Sequence, residues 1–147
     1  MVGYHGEGGG VINLTKGIFA KCAVGTDLYT AISGRLYKGY APESAIYPYV
    51  VYFVVTDVPE YPGGKTIEQY LIQFSLFSSA SGSTEVENML TYLRTLYDDC
   101  VLTITGNTPI YFIRGNLSTM REDHTVLAGT VGVWHFSQEY EGWCVKN

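Results

Sequence analysis

Charge is what this chain has least of. Charged side chains make up 16% of its 147 residues, against roughly a quarter in an ordinary domain. Basic residues are the scarcer sign, with 9 Lys and Arg against 14 Asp and Glu and a net charge of −5. A phosphate-neutralising face of the kind nucleic-acid binders carry is therefore not expected. Long apolar runs are missing too. The longest, Tyr49 to Val55 (YVVYFVV), is far short of the roughly 20 residues a membrane helix needs. The opening MVGYHGEGGG has neither a basic start nor an apolar stretch, so it does not read as a secretory signal. Cys22, Cys100 and Cys144 are an odd number, widely spaced and without a C-x-x-C pair. They read as reduced thiols of an intracellular protein. Asn13-Leu14-Thr15 and Asn116-Leu117-Ser118 fit the glycosylation triplet, which carries no weight without secretion.

Apolar residues are plentiful, at 46%, and that excludes wholesale disorder. The length suits one domain spanning residues 1–147, able to bury roughly 70% of its unfolded surface. Tyrosine stands out, with 13 against 6 Phe and 2 Trp. A ring with a polar tip suits half-buried strand faces and subunit interfaces.

Along the chain, residues 1–10 are Gly-rich and read as a flexible arm. Val11, Leu14, Ile18 and Cys22 recur at helical spacing, predicting a helix to Val24 with Gly25 at its C-cap. Gly17 weakens that helix. Thr26 reads as the N-cap of a short helical turn ending before Gly34, and residues 35–40 as a short strand before a Pro-containing connector. Residues 49–56 are apolar on both faces, as in a central strand covered on each side. Residues 67–77 alternate, with Tyr70, Ile72, Phe74 and Leu76 facing one way. The two form a hairpin around a long turn, Asp57 to Lys65 (DVPEYPGGK). Thr84 with Glu87 fits a capping box, and Val86, Met89, Leu90, Leu93, Leu96 and Tyr97 form one helical stripe. Strands are then predicted over 101–105, 110–117 and 125–136. Turns fall at 106–109 and 118–124, and 138–147 reads as a C-terminal tail.

Chemistry-bearing patterns are few. Gly64-Lys65-Thr66 resembles the end of a phosphate-binding loop, but Pro59 stands where the first glycine belongs and a strand follows where a helix should. His5, His124 and His135 show no ligand spacing, although His124, His135 and a cysteine could meet in three dimensions. Cys100 reads as a small buried hydrophobe rather than a nucleophile, and Asp98-Asp99 is a poor acid/base pair. No enzyme, metal or cofactor is expected. Tyr37-Lys38 and Phe112 with Arg114 could in principle stack on bases, yet the net charge favours packing.

The order of elements resembles the tail-terminator or tail-completion proteins of long-tailed bacteriophages. The resemblance rests on Gly34-Arg35-Leu36-Tyr37 with Ala41-Pro42, Tyr47-Pro48-Tyr49-Val50-Val51, Leu96-Tyr97-Asp98-Asp99 leading to Leu102-Thr103-Ile104-Thr105-Gly106, and Gly132-Val133-Trp134. It implies an α+β domain, mainly an antiparallel sheet with two helices on one face and a protruding hairpin loop. It also implies a homo-oligomeric ring, usually a hexamer, that ends the tail tube and joins tail to head. The implied partners are copies of the chain, the tail-tube protein and a head-completion or connector protein; the net charge of −5 adds that DNA would pass through such a ring without specific binding. The implied location is the virion neck, after assembly in the host cytoplasm. Another neck or head-completion adaptor, or a small-molecule-binding or enzymatic α+β domain, are the alternatives.

The hairpin loop is the candidate interface. It is longer than a hairpin needs and holds Asp57, Glu60, Tyr61 and Lys65. A tyrosine at a loop tip has no core to enter, so burial against a partner is its natural use; otherwise it is an ordinary surface turn.

Overall fold

A computed structural model describes residues 10–103, 108–126 and 129–146. The arm with His5, and Ile104 to Asn107 of the expected strand and turn, lie outside the described residues, as does the side chain of His124.

Among the described residues, three helices, against the two expected, pack on one face of a six-stranded sheet. Helix α1 (Gly10–Lys21) buries Leu14 and Ile18, with Cys22 just beyond its end. It stops at Lys21 rather than Val24. Gly17 has a packing reason: a Cβ there would sit 2.9 Å from Leu102 Cβ, so the glycine lets the helix approach the sheet closely. Helix α2 (Asp27–Ile32) is capped by Thr26, whose side chain accepts from the Tyr29 N–H at 3.3 Å. Helix α3 (Thr84–Tyr97) buries Val86, Met89, Leu90, Leu93 and Tyr97. Its N-cap is Ser83 rather than Thr84. No side chain caps the backbone there, and the Ser83 hydroxyl donates to Glu87 Oε2 at 2.9 Å.

The strands are β1 (Leu36–Lys38), β2 (Tyr49–Glu60), β3 (Thr66–Ser78), β4 (Val101–Leu102), β5 (Ile110–Val126) and β6 (Gly129–Lys146), ordered β1-β2-β3-β6-β5-β4. Among the described residues, only β1 and β2 pair in parallel. The α+β class and its largely antiparallel sheet stand as expected from the sequence.

Three strand boundaries differ from the sequence reading, all for one reason. Where only one sheet face is covered, polar strand residues have the local composition of a turn. Strand β2 runs on through Asp57 to Glu60, leaving the turn to 61–65. Residues 118–124 are not a turn but the middle of β5, in register with β6. Of the expected tail 138–147, residues 138–146 are strand: β6 continues to Lys146 and pairs with β3 from Trp134 to Lys146, while Asn147 lies outside the described residues. The expectation that 49–56 is covered on each side also fails. Tyr52 and Val50 meet the helical side, while Tyr49, Val51 and Phe53 face the other way.

The core explains part of the tyrosine excess. Tyr52, Tyr70, Tyr97 and Tyr140 are buried with Phe74 and Phe112. Phe74 lies 4.7 Å from Tyr97 and 5.8 Å from Tyr140, ring centre to ring centre. Buried phenols usually find partners, and two of these four do so among the described residues. Tyr97 donates to Ile18 O at 2.7 Å, and Tyr140 to Asp98 Oδ1 at 2.6 Å. Thus Asp98 does structural work at the end of α3, also facing Arg114 at 3.6 Å. Among the described residues, no helix is long and apolar enough to cross a membrane.

Candidate functional site

Two surfaces stand apart from the core: the turn between β2 and β3, and the sheet face that no described helix covers. At the turn, Glu60 ends β2 and Tyr61 leads into a single 3₁₀ turn, Pro62–Gly64, closed by Lys65 N–H to Pro62 O at 3.2 Å. Gly63 (φ 60°) and Gly64 (φ 84°) take left-handed conformations that side chains disfavour. Asp57, Glu60, Tyr61 and Lys65 are all exposed, Tyr61 to 73%. Asp57 sits lower than the rest, within the β2 ladder opposite Tyr70. The structure therefore gathers Glu60, Tyr61 and Lys65 at one tip and leaves Asp57 on the strand below.

The open face is built by strand alternation. A row of rings crosses it: Tyr37 (β1), Tyr49 (β2), Phe77 (β3) and His135 (β6). Centroids are 6.0, 5.1 and 4.3 Å apart in that order, with Tyr47 stacked on Tyr49 at 5.2 Å. Arg35 fixes this corner, donating from Nε to Pro48 O at 3.0 Å and from Nη2 to Tyr47 O at 3.4 Å. A shallow recess of about 390 Å³ lies among Tyr40, Tyr49, Phe53, Gln73, Phe77 and His135.

His135 joins a small polar cluster beside this row. Its Nε2 lies 3.1 Å from Ser137 Oγ and its Nδ1 lies 3.9 Å from Glu122 Oε1. Burial lowers the His135 pKa from its ordinary value, against the opposing pull of the Glu122 carboxylate. Ser137 also receives the Gln73 amide at 3.5 Å. The sequence showed no spacing for this cluster, because Glu122 and His135 meet only through the β5–β6 register.

Charge divides between the two sides of the sheet. The open face carries Glu60, Glu122, Glu139 and Glu141, and none of the described Lys or Arg side chains of the strands. Lys38 points to Thr15 of α1 at 2.9 Å. Arg94 and Arg114 bond to Gln138 and Asp98, and Arg121 lies over the Trp134 ring at 4.9 Å.

Burial pushes the Cys22 and Cys100 thiols up to about 11, which is the opposite of nucleophile activation. Among the described residues, no group of three or more His, Cys, Asp or Glu is placed to hold a metal.

No family model and no curated protein matches the chain. Solved structures do. The chain is similar to one from the virion of a native gene transfer agent particle, with a TM-score of 0.58 and 11% identity over 90% of this chain and 95% of that one. A second solved chain, whose description names no function, gives a TM-score of 0.52 at 17% identity over 95% and 98%. At these identities the likeness shows a shared fold.

Proposed function

We propose that this chain is a non-enzymatic virion protein of a phage-like particle, and that it closes into a ring ending the tail tube and joining tail to head. The observation that carries the reading is the end-to-end likeness to a chain of a gene transfer agent virion, reached independently of the sequence resemblance to tail terminators. The one-sided fold supports it. Helices cover one face, and the other is a broad wall with carboxylates and no described strand cations. Facing a channel, such a wall repels phosphate, so DNA passes without being held. Copies of itself, the tail-tube protein and a head-side connector are the partners, and the virion neck is the location. A different neck adaptor of the same fold shares this chemistry and differs in its position along the particle.

Light scattering after size exclusion tests the reading, with the purified protein alone and with tail tubes. The expected mass is a multiple of 16.3 kDa, six subunits being favoured, and images should show rings on tube ends. A monomer that leaves tubes bare overturns it.

One observation favours a second reading. Ser137, His135 and Glu122 stand in the order of a hydrolase triad, although 3.9 Å from Nδ1 to the carboxylate is too long for a hydrogen bond. A fluorophosphonate probe decides. Labelling of Ser137 that is lost in Ser137→Ala would replace the structural role with a catalytic one.

A further inference from the structure

Building on the ring reading, we propose that neighbouring copies meet helix to sheet: helix α1 of one copy lies across the open sheet face of the next, at the end of that face nearest the β2–β3 turn. Register puts Val58, Trp143 and Tyr111 in one cross-strand row there, and Leu71, Glu141 and Ile113 in the next. Val58, Tyr111 and Ile113 are between 41% and 49% exposed, and Tyr111 stacks on Trp143 at 5.8 Å. Val58, Leu71, Glu141 and Trp143 also line a recess of about 280 Å³. A contiguous apolar patch edged by polar side chains marks a surface that another element covers.

Helix α1 has a face to match. Leu14 and Ile18 enter the core, while Ile12, Thr15, Lys16 and Phe19 recur at helical offsets along a second side. Ile12 is 69% exposed and Phe19 40%, the latter even though its ring meets Tyr52 edge-on at 5.7 Å. A helix that is apolar on two sides is suited to being covered on both. Helix α3 provides the contrast: its exposed positions are Thr84, Glu85, Glu87, Asn88, Thr91 and Thr95, all polar.

Charge and size agree. Glu60, Glu139 and Glu141 flank the patch, and the described strands turn no Lys or Arg side chain to that face. Lys65 stands beyond Glu60, in the turn. Helix α1 carries Lys16 and Lys21 and no acid, and Lys38 brings its ammonium to Thr15 Oγ1 at 2.9 Å. Asp57, which borders a recess with Val11 at the start of α1, does not reverse that excess. Two open faces brought together would oppose glutamates, and two α1 helices would oppose lysines, so the mixed contact is favoured over either symmetric one. The 12 residues of α1 span about 18 Å. That is enough to cross from β2 to β5, whose axes stand roughly 14 Å apart at ordinary strand spacing. The two surfaces lie on opposite sides of one sheet, so a copy cannot cover its own face. The contact therefore runs head to tail, which is the kind that closes a ring. The other end of the face, with Glu122 and His135, stays open toward the channel.

Cysteine chemistry tests the contact. Ile12→Cys is co-expressed with Val58→Cys, Tyr111→Cys or Ile113→Cys in turn, with and without tail tubes, and the assemblies are oxidised. All four positions are exposed, and the native thiols are buried. At least one mixture should give a disulfide-linked dimer absent from every single variant, and the matching double variant should give a ladder ending at the ring mass. The Ile113→Cys thiol should be blocked to maleimide in the ring and react once the ring is diluted to monomers. A ring by light scattering with no mixed dimer, or with any single variant linking to itself, overturns the contact and leaves the ring reading intact. A thiol blocked only on tubes, or still blocked in the monomer, assigns the face to the tube protein or to the same chain and equally overturns the contact. A mass of 16.3 kDa both alone and with tubes overturns the ring reading, and the contact with it.

Discussion

Arg94 of α3 donates from Nε and Nη2 to one oxygen of Gln138 on β6, at 3.1 and 2.8 Å. The Gln138 amide nitrogen in turn faces the carbonyls of Gly115, Asn116 and Glu139 at 3.0 to 3.2 Å. Those carbonyls belong to the irregularity in β5 between Arg114 and Leu117 and to β6 beside it. One fully buried side chain thus ties a helix to the place where the β5 ladder slips.

Replacing Gln138 by Leu keeps the volume but orphans the guanidinium and the carbonyls. Each buried group left without a partner costs about 1–3 kcal/mol. We expect Gln138→Leu to lower the urea midpoint by at least that of one such group, with the slope unchanged. A midpoint equal to the parent would show that water replaces the bonds without loss.

Gln138 also shows where the sequence stopped being legible. Helices α1, α2 and α3 and the hairpin faces were readable, because Leu14, Ile18, Val86, Leu93, Tyr70 and Phe74 recur at periods set by helix and strand geometry. Residues 118–124 and 138–147 were not. Their strands present polar side chains to an uncovered face, and local composition then resembles a turn. Long-range pairing with β3 and β6 overrides that local signal. The candidate tip was legible from its Pro and Gly residues, whereas the His135 cluster needed the β5–β6 register.

Leu93 is fully buried on α3, within the same core as Phe74 and Tyr97. Truncation there leaves a cavity that a packed sheet cannot close, at a cost of about 2–5 kcal/mol. Leu93→Ala should show that loss in chemical denaturation, while alanine at the exposed helix position Asn88 should move the midpoint by less than about 0.5 kcal/mol. Equal effects at both sites would mean that α3 does not use this stripe for packing.

His135 makes stability depend on pH with a definite sign. Its folded pKa is lowered from 6.5, first through burial, so the unfolded chain takes up a proton that the folded chain resists. Above 6.5 both states are neutral at this site and its full contribution is present. As pH falls through 6.5 toward the lower folded value, stability is lost. His135→Gln removes that component, so it should lose less stability than the parent between about pH 7 and pH 5. Parallel curves for the two proteins would show that the ring is solvated well enough to charge freely.

The β2–β3 turn gives the sharpest functional test. Glu60 and Thr66 flank it, and the pair Glu60–Ile67 already closes the ladder on the strand side. A two-residue Asn-Gly connection in place of 61–66 joins Glu60 to Ile67 in that same register, so residues 61–66 are dispensable for the hairpin itself. What they add is Tyr61, 73% exposed, on a pedestal stiffened by Pro62 and bent by two left-handed glycines. An aromatic held out in this way gains most by being buried in a partner. Replacing 61–66 with Asn-Gly should leave the melting temperature within a few degrees of the parent and weaken tube capping. Tyr61→Ala alone should reproduce most of that loss. If both variants cap tubes like the parent, the tip has no part in assembly; if only the Asn-Gly variant fails, the length of the turn matters and the tyrosine does not.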